Sequence, residues 1–426
     1  MPMQPWFPDA KLGIFVHYGI YAVDGVPESW AFYLGQMPRE EYMKQLGGFT
    51  ASAYDPRSWA RLFARAGARY AVLTARHHDG VALWDTAAPD GLSVVRDTPA
   101  GRDLLAGYTD ALREEGLKVG FYYSHSDWSH PDYASVRHPD PDPGQAAVND
   151  NRLSSAAPGA QDPAAWRRYL DYRNAQVREL TTRHRPDLLW FDGEWERSEE
   201  QWGIDELADE ILAAAPDAVL NARMLSRGDY ATPEQGVPMQ PPSGPWELCL
   251  TVNDSWGYQA QDDRHKSVGQ LVRYFTETIG AGGNLLLDVG PREDGTITPE
   301  QTERLEGLGD WIGRHSEAVY GTVAGLPAGH HYGPSTLSAD RRTLYLTCFD
   351  APRETVSVRG LRNAVRRVTV LGTGAELGHH VTGGLHDVPG VLWIDAPGGA
   401  DVDPHATVLA VELDGELDLY RGTGRD

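Results

Sequence analysis

The sequence predicts an α/β protein: a (β/α)8-like, TIM-type barrel over residues 1–325, followed by a C-terminal β-sandwich over residues 333–426. Three observations carry this. Short apolar runs alternate with amphipathic helical stretches from residue 12 to about 319, the pattern of parallel strands joined by crossover helices. Several of those runs end in an ionisable side chain, as buried parallel strands do where they leave a core. Beyond about residue 325 the helical spacing stops, and short β-rich segments separated by Gly, Pro and Asp take over.

The elements follow in order. Residues 12–19 (LGIFVHYG), 70–77 (YAVLTARH), 118–124 (KVGFYYS) and 188–192 (LLWFD) read as strands, as do 218–223, 246–253 and 284–290. Helices are expected over 55–66, opened by Asp55-Pro56, and over 102–115, closed by Gly116. Further helices are expected over 164–184, 204–215 and 266–279. The last, from Thr298 to about Val319, starts on a capping-box spacing with Pro at its first position. Residues 129–162, rich in Pro, Asp, Ser and Gly, read as a long surface excursion. The open doubly wound sheet is the rival arrangement, but no glycine-rich dinucleotide loop follows an early strand. In the second region the segments 344–349, 355–360, 366–372, 391–396 and 407–415 are the expected sandwich strands, with the linker near 325–333.

Composition excludes several classes. With 61 acidic and 38 basic residues the net charge is −23, which repels nucleic acid and anionic membrane. No window approaches the roughly 20 apolar residues of a membrane span. The two cysteines, Cys249 and Cys348, form no disulfide framework or metal motif. The amino terminus has neither a basic n-region nor a long apolar run. The expected location is therefore cytoplasmic, or secreted if a leader has been cleaved. A homo-oligomer stays open.

Chemistry gathers at the strand ends, where a barrel carries its active site. These ends supply His17, His77, His78, Tyr123, Asp192, Arg223 and Trp256. The run Leu188–Asp192 turns from apolar to acidic, then continues Gly193-Glu194-Trp195. A carboxylate among flat aromatic rings suits sugar chemistry: Trp190, Trp195 and their neighbours offer faces to C–H bonds, and the acid attacks or protonates. A metal held by His17, His77, His78 and Asp79 is disfavoured, because adjacent strand residues point to opposite faces. Neither metal nor cofactor is expected.

Seven motifs, in order, carry a family resemblance: GIFVHYG, ARHHDG, FYYSxxDW, WFDGEWE, GDYATPE, PWELCLTVNDSWGY and GGNLLLDVGPxxDG. Together, over about residues 6–320, they resemble the glycoside hydrolase family 29 α-L-fucosidases. The resemblance implies that Asp192 is the catalytic nucleophile and that His17, His77 and His78 bind fucose hydroxyls. It places Tyr123 and Arg223 in the pocket lining, and Trp30, Trp190 and Trp256 among the substrate contacts. The family often carries an acid directly before the tryptophan matched by Trp30; here Ser29 stands there, preceded by Glu28. For the acid/base, Glu234 in a loop is favoured and Glu247 at a strand start is the alternative, with Glu194 and Asp229 behind them. The implied activity is that of a retaining, exo-acting α-L-fucosidase on fucosylated oligosaccharides or glycoconjugates. The rival readings are a glycosidase for another α-linked sugar, such as an α-L-galactoside, and a non-catalytic carbohydrate-binding protein.

Overall fold

The computed structural model describes residues 3–133 and 162–422. Most of the excursion expected over 129–162 lies outside the described residues.

Seven parallel strands form one curled sheet: β1 (Leu12–Val16), β2 (Tyr70–Arg76), β3 (Lys118–Ser124), β4 (Leu188–Asp192), β5 (Val219–Leu220), β6 (Glu247–Thr251) and β7 (Asn284–Val289). Their order is β5-β4-β3-β2-β1-β7-β6. The gap between β5 and β6 is closed by the stretch 230–235. Tyr230 bridges Asn221, Ala231 bridges Trp246 and Glu234 bridges Cys249, all in parallel sense. Main-chain bonds complete the seam: Glu247 N donates to Ala231 O (2.9 Å), Cys249 N to Pro233 O (3.0 Å) and Gln235 N to Cys249 O (2.8 Å). This irregular eighth strand closes a (β/α) barrel.

Four of the helices between strands, those opening at Pro56, Pro163, Val268 and Pro299, start on side-chain caps. Asp55 accepts from Arg57 N and Ser58 N ahead of α1 (Pro56–Arg65). α2 (Leu105–Glu114) and α3 (Pro163–His184) follow; Asp162 caps α3 and Pro163 opens it. After α4 (Ile204–Ala214), Ser267 and Gln270 form a reciprocal capping box on α5 (Val268–Gly280). α6 (Pro299–Arg314) ends at His315, so the last helix breaks before Val319.

Alternation sorts the strand residues. Phe15, Tyr70, Tyr122, Leu188, Trp190 and Leu286 fill the barrel, while Leu73, Val119, Phe121, Leu189, Phe191 and Leu287 face the helices. At Gly13, an added Cβ would sit 2.3 Å from the ring of Tyr70, so the packed floor demands glycine there.

Eight antiparallel strands follow: β8 (Thr322–Ala324), β9 (Ser335–Ser338), β10 (Thr343–Cys348), β11 (Thr355–Val358), β12 (Val365–Val370), β13 (His379–Thr382), β14 (Val391–Asp395) and β15 (Thr407–Leu413). They make a five-stranded sheet, β8-β9-β10-β15-β12, and a three-stranded sheet, β11-β14-β13, over a shared apolar core. The first of these strands lies before residue 325, because Val323 pairs with Leu337 of β9. The larger sheet leans on the barrel: Trp311 Nε1 donates to Ala406 O (2.9 Å), and Arg314 pairs with Asp403 (2.9 Å). Among the described residues no helix is long and apolar enough to cross a membrane.

Candidate active site

Asp192 closes β4 at the barrel mouth, paired with Ser124 of β3. Its Oδ2 accepts from the Tyr122 hydroxyl (2.9 Å) and lies 3.4 Å from His78 Nε2. Burial disfavours the ionised form, but His78, Arg223 and Tyr122 outweigh it and hold the Asp192 pKa at about 2. The next residue must turn sharply. Gly193 has φ +81°, and a Cβ there would sit 2.3 Å from Ser126 Oγ.

Arg223 follows β5 and joins two more acids. Its Nη1 donates to Glu194 Oε1 (3.0 Å) and its Nη2 to Glu234 Oε1 (2.7 Å). Glu234 sits at the carboxyl end of the closing strand, opposite Cys249, with its side chain 36% exposed. Burial and then the charge of Asp192 raise its pKa; Arg223 opposes them without cancelling them. Glu194 is likewise raised by burial, and its Oε2 is buried with no hydrogen-bond partner among the described residues.

The histidines complete the mouth, with His78 beside Asp192. His17 Nδ1 meets Asp288 Oδ1 at 2.6 Å, and its ring lies 5.1 Å from that of Trp256. His77 is hydrogen-bonded through Nδ1 to Ser29 Oγ, and burial keeps its pKa well below the usual value. His78 Nδ1 is bonded to Ser124 Oγ. Contrary to the alternation expected of neighbours in a strand, His77 and His78 both reach the mouth, with ring centroids 4.4 Å apart. β2 has already ended at Arg76, so the two-residue period no longer applies to them. Trp30 and Trp195 lie nearly parallel (16°, 6.1 Å) beside His78.

Two of the expected site residues lie away from the mouth. Tyr123 faces away from the pocket: its hydroxyl donates to Gln176 of α3 (2.8 Å) and Arg76 lies over its ring. Tyr122, one residue earlier, holds the inward position. Glu247 opens β6 at the other end of the barrel and is fully buried. Tyr70 donates to its Oε2, and Trp190 Nε1 (3.0 Å) and Tyr230 (3.4 Å) donate to Oε1. Burial pushes its pKa up to about 7 against those bonds. Trp190 thus lies below the mouth, between Glu247 and Tyr122, whose ring it stacks on at 5.7 Å. Asp229 is tied to the backbone through Leu220 N (2.8 Å).

A floor carboxylate of this kind supports packing. Glu247→Gln is expected to keep turnover within about tenfold. Glu247→Leu strands three buried donors and is expected to cost on the order of 3 kcal/mol, read as a lowered Tm. A turnover loss of 100-fold or more in a folded Glu247→Gln enzyme would overturn this placement.

A closed barrel whose mouth holds an ionised aspartate, two glutamates of raised pKa and an aromatic rim defines a glycoside hydrolase. Comparison with known proteins gives the particular kind. The sequence profile described as alpha-L-fucosidase matches residues 1–317. Rat tissue alpha-L-fucosidase is 30% identical over 347 residues, covering 75% of this chain and 70% of the relative. Among solved structures, alpha-L-fucosidase isoenzyme 1 from Paenibacillus thiaminolyticus superposes with a TM-score of 0.84 at 34% identity, covering 96% of this chain and 98% of that one. The Thermotoga maritima alpha-fucosidase in complex with a mechanism-based inhibitor gives 0.76 at 30% identity, covering 96% of each chain. The chain belongs to the α-L-fucosidase family.

Proposed function

We propose that this chain is a retaining, exo-acting α-L-fucosidase that removes terminal α-L-fucose from glycans, with Asp192 as nucleophile and Glu234 as acid/base. One observation carries the assignment. Two carboxyl groups at one mouth, both within the field of Arg223, are displaced in opposite directions: Asp192 toward the ionised form and Glu234 toward the protonated form. A retaining glycosidase needs that division of labour.

In the first step an Asp192 oxygen attacks the anomeric carbon from the face opposite the glycosidic oxygen. The C1–O bond breaks and the Glu234 proton goes to the departing oxygen. In the second step water attacks C1 of the fucosyl-enzyme, Glu234 takes its proton and the Asp192–C1 bond breaks. L-Fucose leaves with its α configuration kept. Tyr122 and His78 steady the charge on Asp192, and Arg223 sets the position of Glu234. His17, His77 and His78 supply polar contacts for the sugar hydroxyls, with Trp30 and Trp256 as apolar walls. Trp190 supports this ring of side chains from below.

The test is trapping. A 2-deoxy-2-fluoro-α-L-fucosyl fluoride should give a stable 1:1 adduct, seen by intact-protein mass spectrometry. Peptide mapping should place it on Asp192. An adduct on Glu194 or Glu234 would overturn the nucleophile assignment.

A further inference from the structure

Two buried acids behind His17 have no part in the scheme above. Asp288, near the end of β7, has no exposed surface, and its Oδ1 stands 2.6 Å from His17 Nδ1. The sheet itself sets that separation: Phe15 of β1 pairs with Asp288, and His17 N donates to Val289 O (3.0 Å). Asp288 Oδ2 is buried without a hydrogen-bond partner among the described residues. Burying a carboxylate with one oxygen unmatched is costly unless a cation faces it. The second acid, Glu28, is also buried; it accepts from Gly257 N (2.6 Å) and so holds the loop that carries Trp256 against His17.

We infer that Asp288 is a positioning residue for sugar binding: its buried carboxylate pins the His17 ring through Nδ1 and faces it as a counter-ion, so that Nε2 donates to a sugar hydroxyl. This rests on the proposed contact of His17 with the sugar. With Nδ1–H committed to Asp288, Nε2 has no hydrogen-bond partner among the described residues and is the nitrogen left to a ligand.

The charges around His17 support this. Asp288 on β7, Glu28 on the loop before Trp30, Asp192 on β4 and Glu234 on the closing strand act on it, against His77 at the end of β2. Lys266 acts on Asp288 in turn, favouring its ionised form. Burial alone would lower the His17 pKa; the acids, Asp288 foremost, outweigh it and raise it. Burial brings Asp288 to about 6, so the carboxylate form prevails above that pH.

The experiment compares unmodified enzyme, Asp288→Asn and His17→Ala by inhibition with L-fucose across pH. L-Fucose binding needs no proton from Glu234, so the acid/base does not confound it. Asparagine can still accept from Nδ1 but carries no charge. Asp288→Asn should weaken L-fucose tenfold or more near neutrality. The loss of binding as pH rises should begin about one pH unit lower than in the unmodified enzyme. Unchanged binding in Asp288→Asn beside a large loss in His17→Ala overturns the inference alone. Unchanged binding in His17→Ala overturns the His17 contact as well. If Asp288→Asn does not fold, 15N-histidine NMR of the unmodified enzyme decides, with His17 assigned by its loss in His17→Ala. An imidazolium at pH 7 supports the inference, and a neutral ring overturns it.

Discussion

Replacing Asp192 with glycine is expected to lower turnover of an aryl α-L-fucoside by about 10^4-fold or more, or over 5 kcal/mol of barrier at ~1.4 kcal/mol per factor of ten. The reason lies in what surrounds it. Tyr122 and His78 hold one carboxylate oxygen, and the backbone fixes the other end, with His125 N donating to Asp192 O (2.6 Å). Glu194 is paired with Arg223 and does not substitute for it. Glycine leaves a small anion-sized gap beside Tyr122 and His78. Azide should enter that gap and attack from the nucleophile's side in a single displacement, giving β-L-fucosyl azide. Kinetics with and without azide, and NMR of the product, check both outcomes. Turnover within tenfold of the unmodified enzyme would remove Asp192 from the nucleophile's role. Stability should respond too. A carboxylate held at about 2 rather than 3.8 contributes about 2 kcal/mol to the fold at neutral pH. Because the folded-state value is depressed, that contribution is present above about pH 4 and is lost as pH falls toward 2. The Tm gap between the two proteins should close over the same window.

Much of the architecture was legible because buried parallel strands and capped helices leave local marks. Leu188–Asp192, Asp55-Pro56 and Thr298-Pro299 each announce themselves within a few residues. Facing was harder. In β3 both faces are buried, so the Tyr122-Tyr123 pair shows no apolar–polar alternation to say which ring turns inward. Only the pairing of Tyr122 with Trp190 and of Ser124 with Asp192 decides it, and that register is a tertiary fact. The closing strand 230–235 was hidden for a related reason. It contains Pro233 and makes isolated bridges instead of a ladder, so it reads as loop. Its position nonetheless separates the two glutamates: Glu234 ends that strand, whereas Glu247 begins the next one. The bond between His17 and Asp288 spans 271 positions and has no local signature. In the sandwich, β13 (HHVT) is a largely exposed edge strand, so it lacks the apolar face that marked its neighbours.

Glu234→Ala should separate the two chemical steps. An activated aryl fucoside has a leaving group that needs little protonation, so fucosyl transfer to Asp192 should continue. Release of the sugar then lacks its base. The fucosyl-enzyme should accumulate, and kcat and KM should fall together. A fucosylated oligosaccharide, whose departing alcohol must be protonated, should lose about 10^2- to 10^4-fold in kcat/KM. Because Glu234 is held above its usual pKa and, in the proposed scheme, acts first as an acid, the unmodified enzyme should lose kcat/KM as pH rises through that raised pKa. The alanine enzyme should lack this alkaline limb with the activated substrate. Azide supplies the decisive contrast. Here it should attack the fucosyl-enzyme from the side vacated by Glu234, giving α-L-fucosyl azide, the opposite anomer to that from Asp192→Gly. Glu247→Ala should give neither rescue nor azide product, since that carboxyl lies on the barrel floor among Tyr70, Trp190 and Tyr230. Rescue at Glu247→Ala with none at Glu234→Ala would exchange the two roles. It would also require the floor of the barrel to open to the sugar.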